Sequence, residues 1–331
     1  MTEGYDIIGD IHGHLGPLRD LLHTMGYREV DRTWHHPTRT AVFVGDLVDR
    51  GQHQVEVLEL AQRMVAAGTA RMVIGNHEYN AVAWHTPVVE GGDEFCRPHS
   101  EKNHRQHTVF LEKVVEGSPT HQRFLEWFCT LPLWLELELG GARLRVVHAC
   151  WNEAEMHTLE PLLDPDRSLN LQAVRATSVK HSPAYEALET VLKGPEIDLG
   201  GLCYLDKGGI PRRKARRRWW DPTATTLRRA ALIPRGALTP DRDPFPELPD
   251  TPIDPLGQYD GAAPVVVGHY WEQIPVALYS PKVACVDYSV AGTGPLVAYR
   301  WSGEATLDAA NYVVQPVRHP HADDNLEPGD D

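Results

Sequence analysis

Cysteine is scarce in this chain, and long apolar runs are missing from it. The five cysteines among 331 residues, Cys96, Cys129, Cys150, Cys203 and Cys285, are odd in number and never form a Cys-x-x-Cys pair. That excludes a disulfide framework or a zinc ribbon as the organising device. They read as reduced thiols, and a cytoplasmic protein is expected. No stretch approaches the roughly eighteen consecutive apolar residues of a membrane span. The start, Met1-Thr2-Glu3-Gly4-Tyr5-Asp6, has no basic region ahead of an apolar one, so neither export nor membrane insertion is expected. Basic residues are also in deficit: 32 Lys and Arg against 46 Asp and Glu leave a formal charge of −14. Wholesale wrapping of nucleic acid or docking on anionic lipid needs the opposite balance.

What is present is enough apolar material, 42% of residues, to fill a packed core, and a repeated local grammar. A short apolar run ends at a glycine and a polar cluster, and an amphipathic segment follows. Tyr5 to Gly9 leads to Asp10, after which Leu18, Leu21, Leu22 and Met25 fall at i, i+3, i+4 and i+7 on one helical face. Ala41 to Val44 meets Gly45-Asp46, with Leu58, Ala61 and Val65 on the next helix, and Met72 to Ile74 meets Gly75-Asn76. Alternating strands and helices imply parallel β-α-β units with both sheet faces covered, the α/β class. Ligand sites of open α/β sheets form at strand carboxyl ends, where each of these polar clusters begins.

Further on, Trp134 to Leu139 and Leu144 to Val147 flank Gly140-Gly141 and read as a hairpin delivering His148. Val265 to Val267 similarly delivers Gly268-His269, and Val283 to Val286 and Leu296 to Trp301 read as final strands. The strand ends therefore supply Asp10, His12, Asp46, Asn76, His148 and His269. This mixed oxygen and nitrogen donor set suits manganese, iron or zinc, and either Asp46 or Asp10 could bridge two cations. A lone histidine after an apolar strand is most often a satisfied core residue. The ligand reading is preferred for His148 and His269 because a two-metal site needs more donors than the first loops contain.

Gly9-Asp10-Ile11-His12-Gly13, Gly45-Asp46-Leu47-Val48-Asp49-Arg50-Gly51 and Gly75-Asn76-His77-Glu78 resemble, in order and spacing, the three signature motifs of the calcineurin-like phosphoprotein-phosphatase superfamily. The resemblance rests on these motifs, and beyond them on single residues. It implies a calcineurin-like metallophosphoesterase β-sandwich flanked by helices. It also implies two divalent metals, manganese foremost, with Asp10, His12 and Asp46 at one and Asp46, Asn76, His148 and His269 at the other. Arg50 would grip phosphate, His77 would protonate the leaving oxygen, and Asp49 would orient His77. The implied reaction is in-line hydrolysis by a hydroxide shared between the metals, without a phosphoenzyme. His148 is followed by Ala149-Cys150-Trp151, where eukaryotic members show two glycines, and His269 by Tyr270-Trp271. This is closer to bacterial branches, including those acting on diadenosine polyphosphates.

Between His148 and His269, an insertion of about residues 152–262 is expected to form a cap over a single domain of residues 1–315, with a mobile tail at 316–331. Its basic run, Arg212 to Arg218 ahead of Trp219-Trp220, reads first as a solvated strand with its stems packed on the tryptophans. A sharper reading grips an anionic substrate and stacks a base on Trp219 or Trp220. Arg216 is the choice for a second phosphate-binding arginine, and Tyr270 for a residue lining the substrate cleft. Glu78 reads as structural, bonding backbone at a helix start. His85, His99, His104 and His107 are expected in loops without a role. The expected function is hydrolysis of phosphomonoesters or nucleoside polyphosphates. A serine/threonine protein phosphatase is one alternative, and a catalytically silent, metal-stabilised binding module is a second. A phosphorylated small molecule, a nucleotide, a phosphoprotein or a phosphorylated nucleic-acid end is the partner to expect.

Overall fold

In the computed structural model, which describes residues 2–206, 209–254, 259 and 261–317, the short apolar runs become strands of two facing sheets. In chain order these are β1 (Gly4–Ile8), β2 (Arg39–Phe43), β3 (Ala70–Met72), β4 (Trp134–Leu139), β5 (Ala142–Val147), β6 (Val265–Val267), β7 (Leu278–Ser280), β8 (Val283–Cys285), β9 (Leu296–Trp301) and β10 (Tyr312–Gln315). One sheet has the order β10-β9-β1-β2-β3 and the other β7-β8-β6-β5-β4. Each is mixed. In the first, β1, β2 and β3 are parallel, β9 is antiparallel to β1, and β10 is antiparallel to β9; in the second, β5, β6 and β8 are parallel and β4 and β7 antiparallel to their neighbours. The α/β sandwich expected from the sequence is the observed architecture.

Alternation along each strand divides its apolar residues between two cores. Ile7, Val42, Val44, Val146, Val266, Ala284 and Val286 meet between the sheets, with Tyr299 and Trp301. Ile8, Ala41, Phe43, Val147, Val265, Val267 and Cys285 face outward into a second core shared with the helices. Burial on both faces explains why these strands read as continuous apolar runs. The first half of the chain contributes helices α1 (Leu15–Thr24), α2 (Gln54–Ala66), α3 (Asn76–His85), α4 (Glu101–Val114) and α5 (Pro119–Phe128). Leu18, Leu21 and Leu22 of α1 are buried at their expected spacing, and Met25 closes that helix. Among the described residues no helix is long and apolar enough to cross a membrane.

The register decides where the loops emerge. Ile8 pairs with Phe43 and Phe43 with Met72, so β1, β2 and β3 end flush, while Val266 pairs with Val146 and Val267 with Cys285. The loops carrying Asp10, Asp46, Asn76, His148 and His269 all leave the carboxyl ends of parallel strands.

The insertion forms short helices at Glu153–Leu159, Leu171–Thr177 and Pro183–Lys193, then a small sheet of Glu196–Asp198, Lys214–Arg217 and Ala231–Leu232. The Pro183–Lys193 helix starts at Ser182, whose hydroxyl accepts from Tyr185 N, with Pro183 in its first turn. The sheet has its own small core of Leu199, Ala215, Leu227, Ala231 and Leu248. Trp219 and Trp220 are 0% and 5% exposed within the main core, and Trp220 stacks on Tyr279 at 3.8 Å and 4°. Their faces are spent on packing, which corrects the base-stacking reading: the tryptophans anchor the insertion to the sandwich. Residues 318–331 of the expected mobile tail lie outside the described residues.

Candidate active site

The first two motif loops are laced together through backbone. Ile11 N and His12 N both donate to the Asp46 carbonyl at 3.0 and 2.9 Å, Gly13 N donates to Leu47 O at 2.7 Å, and Gly51 N to His12 O at 2.9 Å. A Cβ on Gly51 would sit 2.4 Å from the His12 oxygen, so only glycine permits this approach. Glu78, the first-turn residue of α3, is fully buried and binds two loops at once. Its Oε2 accepts from Asp46 N at 2.8 Å and Gly75 N at 3.0 Å, and its Oε1 from Leu47 N at 2.7 Å and Val48 N at 3.3 Å. Gln54 closes the other side, accepting from Asp49 N at 2.8 Å and donating to Gly51 O at 2.5 Å. Within this lacing His12, Asp46, Asp49, Arg50, His269 and Trp271 all adopt positive φ, from 46 to 73°. Such backbone persists only where surrounding contacts over-determine it.

Asp46 lies at the centre. Ligand atoms of His12, Asp46 and His77 lie within 4.8 Å of one another, as do those of Asp46, His148 and His269. Both groups are buried and share Asp46. From its Oδ2, His148 Nε2 is 3.4 Å away, His12 Nε2 3.8 Å and His77 Nε2 3.9 Å. Asn76 Oδ1 faces His148 Nε2 at 2.9 Å and His269 Nδ1 at 3.0 Å. Asp10 joins from the side of the second group: its Oδ2 accepts from His269 N at 3.1 Å, and its Oδ1 is buried with no hydrogen-bond partner among the described residues.

Tautomers test whether this arrangement fits a cation. His148 Nδ1 lies 2.7 Å from Val44 O and His12 Nδ1 2.8 Å from Val48 O. A carbonyl only accepts, so each Nδ1 carries the hydrogen and, in the neutral ring, each Nε2 presents a lone pair. His12 Nε2 is itself buried without a hydrogen-bond partner among the described residues. Ring nitrogens, an amide oxygen and carboxylate oxygens thus converge on the place Asp46 occupies. Such a set is stable only around positive charge, and its N and O donors fit divalent manganese, iron or zinc.

The electrostatics show the excess of negative charge: burial would lower His148, but Asp46 outweighs it and pushes the ring up to about 10, so a bound cation would take over the charge that a protonated His148 otherwise supplies. Burial alone would raise Asp46, but His148 and His77 outweigh it and hold the carboxyl well below its usual range. Asp10 is pushed up, by burial first and then by Asp287, as befits a carboxylate lacking a countercharge. His12 is lowered to about 3 by burial, with Arg50 and His77 adding to it, and stays a neutral ring.

Beside this cluster, His77 Nδ1 lies 2.5 Å from Asp49 Oδ2, which turns the ring's Nε2 toward Asp46. Burial raises Asp49, but His107 and His77 together hold it below the ordinary carboxylate range. The half-buried Arg50 places its guanidinium carbon 4.0 Å from the centre of the Trp271 ring, and Trp271 N donates to Asp287 Oδ2 at 2.8 Å. Tyr270 points into the insertion: its hydroxyl accepts from Trp219 Nε1 at 2.8 Å, and its ring packs edge-on against Trp220 and Tyr279. Arg216 donates to Gly194 O at 3.1 Å and pairs with Glu196 at 3.4 Å. Tyr270 packs against Gly194, leaving no room for a Cβ there.

Three residues that sequence reasoning does not single out belong to this region: Gln54, Asp287 and His107. His107 corrects the loop expectation, for it and His104 lie on α4, and His85 ends α3. The signal for Asp287 is the same apolar-run-then-carboxylate pattern, read at the end of β8. His107 falls on a helical stripe with Phe110, Leu111 and Val114.

A family model described as calcineurin-like phosphoesterase matches residues 5–200, more than half of the chain. An asymmetrical bis(5′-nucleosyl)-tetraphosphatase from Halalkalibacterium halodurans is 46% identical over 74 residues, 22% of this chain and 30% of that protein. The one from Oceanobacillus iheyensis is 31% identical over 134 residues, 40% of this chain and 51% of that protein. The chain therefore spans about half or less of the length of these relatives. The structure of a protein serine/threonine phosphatase from Saccharomyces cerevisiae is similar in fold, with a TM-score of 0.51 at 15% identity, covering 96% of this chain and 81% of that one.

Proposed function

This chain belongs to the calcineurin-like phosphoesterase family, and from that membership we propose that it is a metal-dependent hydrolase of phosphomonoesters or nucleoside polyphosphates. The observation that carries the proposal is the buried Asp46 carboxylate, shared by two groups of potential ligand atoms, with Arg50 and the His77–Asp49 pair in its own loop and the next. Asp10, His12 and Asp46 would hold one divalent cation, and Asp46, Asn76, His148 and His269 the other, with manganese the first choice for this donor set. When bound, such a pair supplies Lewis-acid charge at the phosphoryl oxygens and lowers the pKa of water.

The remaining chemistry belongs to the chain. Arg50, steadied against Trp271, offers a planar fork of donors that matches phosphate oxygens better than an ammonium point charge. His77, its Nδ1 hydrogen committed to Asp49, carries the transferable proton on Nε2. As water adds to phosphorus in line, the bond to the leaving oxygen breaks and that oxygen takes the Nε2 proton; the ring then regains one from solvent. No covalent phosphoenzyme is needed. Arg216 serves as the second phosphate arginine in this reading, supported by its place beside Gly194 and hence beside the Tyr270 that follows His269. Tyr270 lines the cleft with its ring, since its hydroxyl is taken. The insertion of about residues 152–262 caps the site. The activity named for the partial relatives favours nucleoside polyphosphates as substrate, with phosphoproteins the second class to test. The five cysteines, all free thiols, fit a cytoplasmic setting, which cell fractionation would check.

A parallel panel of diadenosine tetraphosphate, mononucleotides, phosphopeptides, phosphorylated oligonucleotides and p-nitrophenyl phosphate, assayed with added manganese, tests the proposal. Turnover of at least one class is expected. No turnover of any substrate by protein with both cations bound would favour a metal-stabilised binding module instead.

A further inference from the structure

Asp49 holds two histidines. Its Oδ2 engages His77 Nδ1 at 2.5 Å, and its Oδ1 engages His107 Nδ1 at 2.7 Å. An ionised carboxylate only accepts, so both rings donate and both carboxylate oxygens are committed. Turning the carboxyl about its Cβ–Cγ bond would break a buried, charge-assisted hydrogen bond, which fixes the plane that His77 must meet.

His107 is otherwise out of place. It is 2% exposed on the apolar stripe of α4, with Phe110 at 4.8 Å and Trp84 at 6.3 Å between ring centres. Its Nε2 is buried without a hydrogen-bond partner among the described residues. Among the described residues the one polar contact this ring makes is therefore through Nδ1, to Asp49. Packing on this stripe does not by itself call for an imidazole. What the imidazole adds is the Nδ1 donor to Asp49.

We propose that His107 is a positioning residue for the reaction: it holds Asp49 by its second oxygen, so that His77 keeps its tautomer and aims Nε2 at the leaving oxygen. The inference rests on the general-acid reading of His77 given above. It predicts a defect that grows with the basicity of the leaving group, because only a poor leaving group depends heavily on the delivered proton.

The test compares His107→Leu, His107→Asn and His77→Asn in the full, manganese-loaded protein. It measures bound metal, and kcat and KM for p-nitrophenyl phosphate and phenyl phosphate. His107→Leu should keep its metal and its KM but lose kcat on phenyl phosphate by about 10–100-fold, the usual cost of removing an orienting partner of a functional histidine. The loss on p-nitrophenyl phosphate should be smaller. In His107→Asn the amide nitrogen takes the place of Nδ1, and most of kcat should return. If leucine prevents folding, His107→Gln, which carries its amide one bond further out, replaces it. Equal losses on both substrates, metal loss, or an asparagine variant no better than leucine would overturn the inference. Full activity of the His107 variants beside a crippled His77→Asn would overturn it alone. Full activity of His77→Asn on phenyl phosphate would remove the general-acid reading, and the inference with it.

Discussion

Glu78→Gln changes one oxygen to nitrogen in a side chain that no solvent reaches, and the structure sets what that costs. Each carboxylate oxygen accepts from two backbone amides: Asp46 N and Gly75 N on Oε2, Leu47 N and Val48 N on Oε1. A glutamine keeps one oxygen and presents an NH2 group to the other two donors. Stranding a buried donor costs about 1–3 kcal/mol, so two cost about 2–6 kcal/mol, a large part of the roughly 5–15 kcal/mol that holds a domain folded. The amide should turn its nitrogen toward Leu47 and Val48, because the 3.3 Å Val48 bond is the weakest of the four. Burial and the nearby Asp46 push the Glu78 carboxyl up, so the comparison belongs at mildly alkaline pH, where wild type is ionised. Urea unfolding of metal-free protein isolates the effect from cation binding. A difference below about 0.5 kcal/mol, the range of surface substitutions, would refute the claim that this carboxylate clamps the Asp46 loop.

Arg50→Lys keeps the charge and removes the fork. Loss of charge-assisted hydrogen bonding should lower kcat/KM by roughly 10–100-fold with bound metal unchanged, and steady-state kinetics beside metal analysis would show it. Trp220→Ala should destabilise the fold by about 3–5 kcal/mol, because one face stacks on Tyr279 and an edge meets Tyr270. An unchanged unfolding midpoint, with reduced affinity for a nucleotide, would restore the stacking role that burial argues against.

The most legible parts of the fold were those buried on both faces. β1 and β2 announce themselves as apolar runs ended by glycine, the partly exposed β4–β5 hairpin does so by its alternation around Gly140-Gly141, and the loops they deliver follow at once. β7 and β10 are edge strands of three and four residues, mostly half-buried, and their mixed composition gives no periodic signal. The site divides in the same way. Asp10, His12, Asp46, Asn76, His148 and His269 stand where strands end, so local sequence marks them. Asp287 follows β8 by the same rule. Gln54 and His107 act through side chains on helices, meeting Asp49 from 5 and 58 residues away, and only tertiary packing reveals them. His107 also hides its own signal, since a polar residue on the apolar stripe of α4 makes that helix read as broken. Trp219 and Trp220 show the converse: a basic run before two aromatics suggests a binding surface, while packing against Tyr259 for the first and Tyr270 and Tyr279 for the second spends both rings.

The proposed chemistry needs one carboxylate to serve two cations, and metal content of Asp46→Asn tests this most directly. Wild-type protein dialysed against manganese should retain two ions per chain by elemental analysis. The variant, with an amide nitrogen in place of one bridging oxygen and its charge removed, should lose both or fall to a single weakly held ion. Two ions retained by Asp46→Asn at wild-type affinity would contradict the shared-carboxylate site.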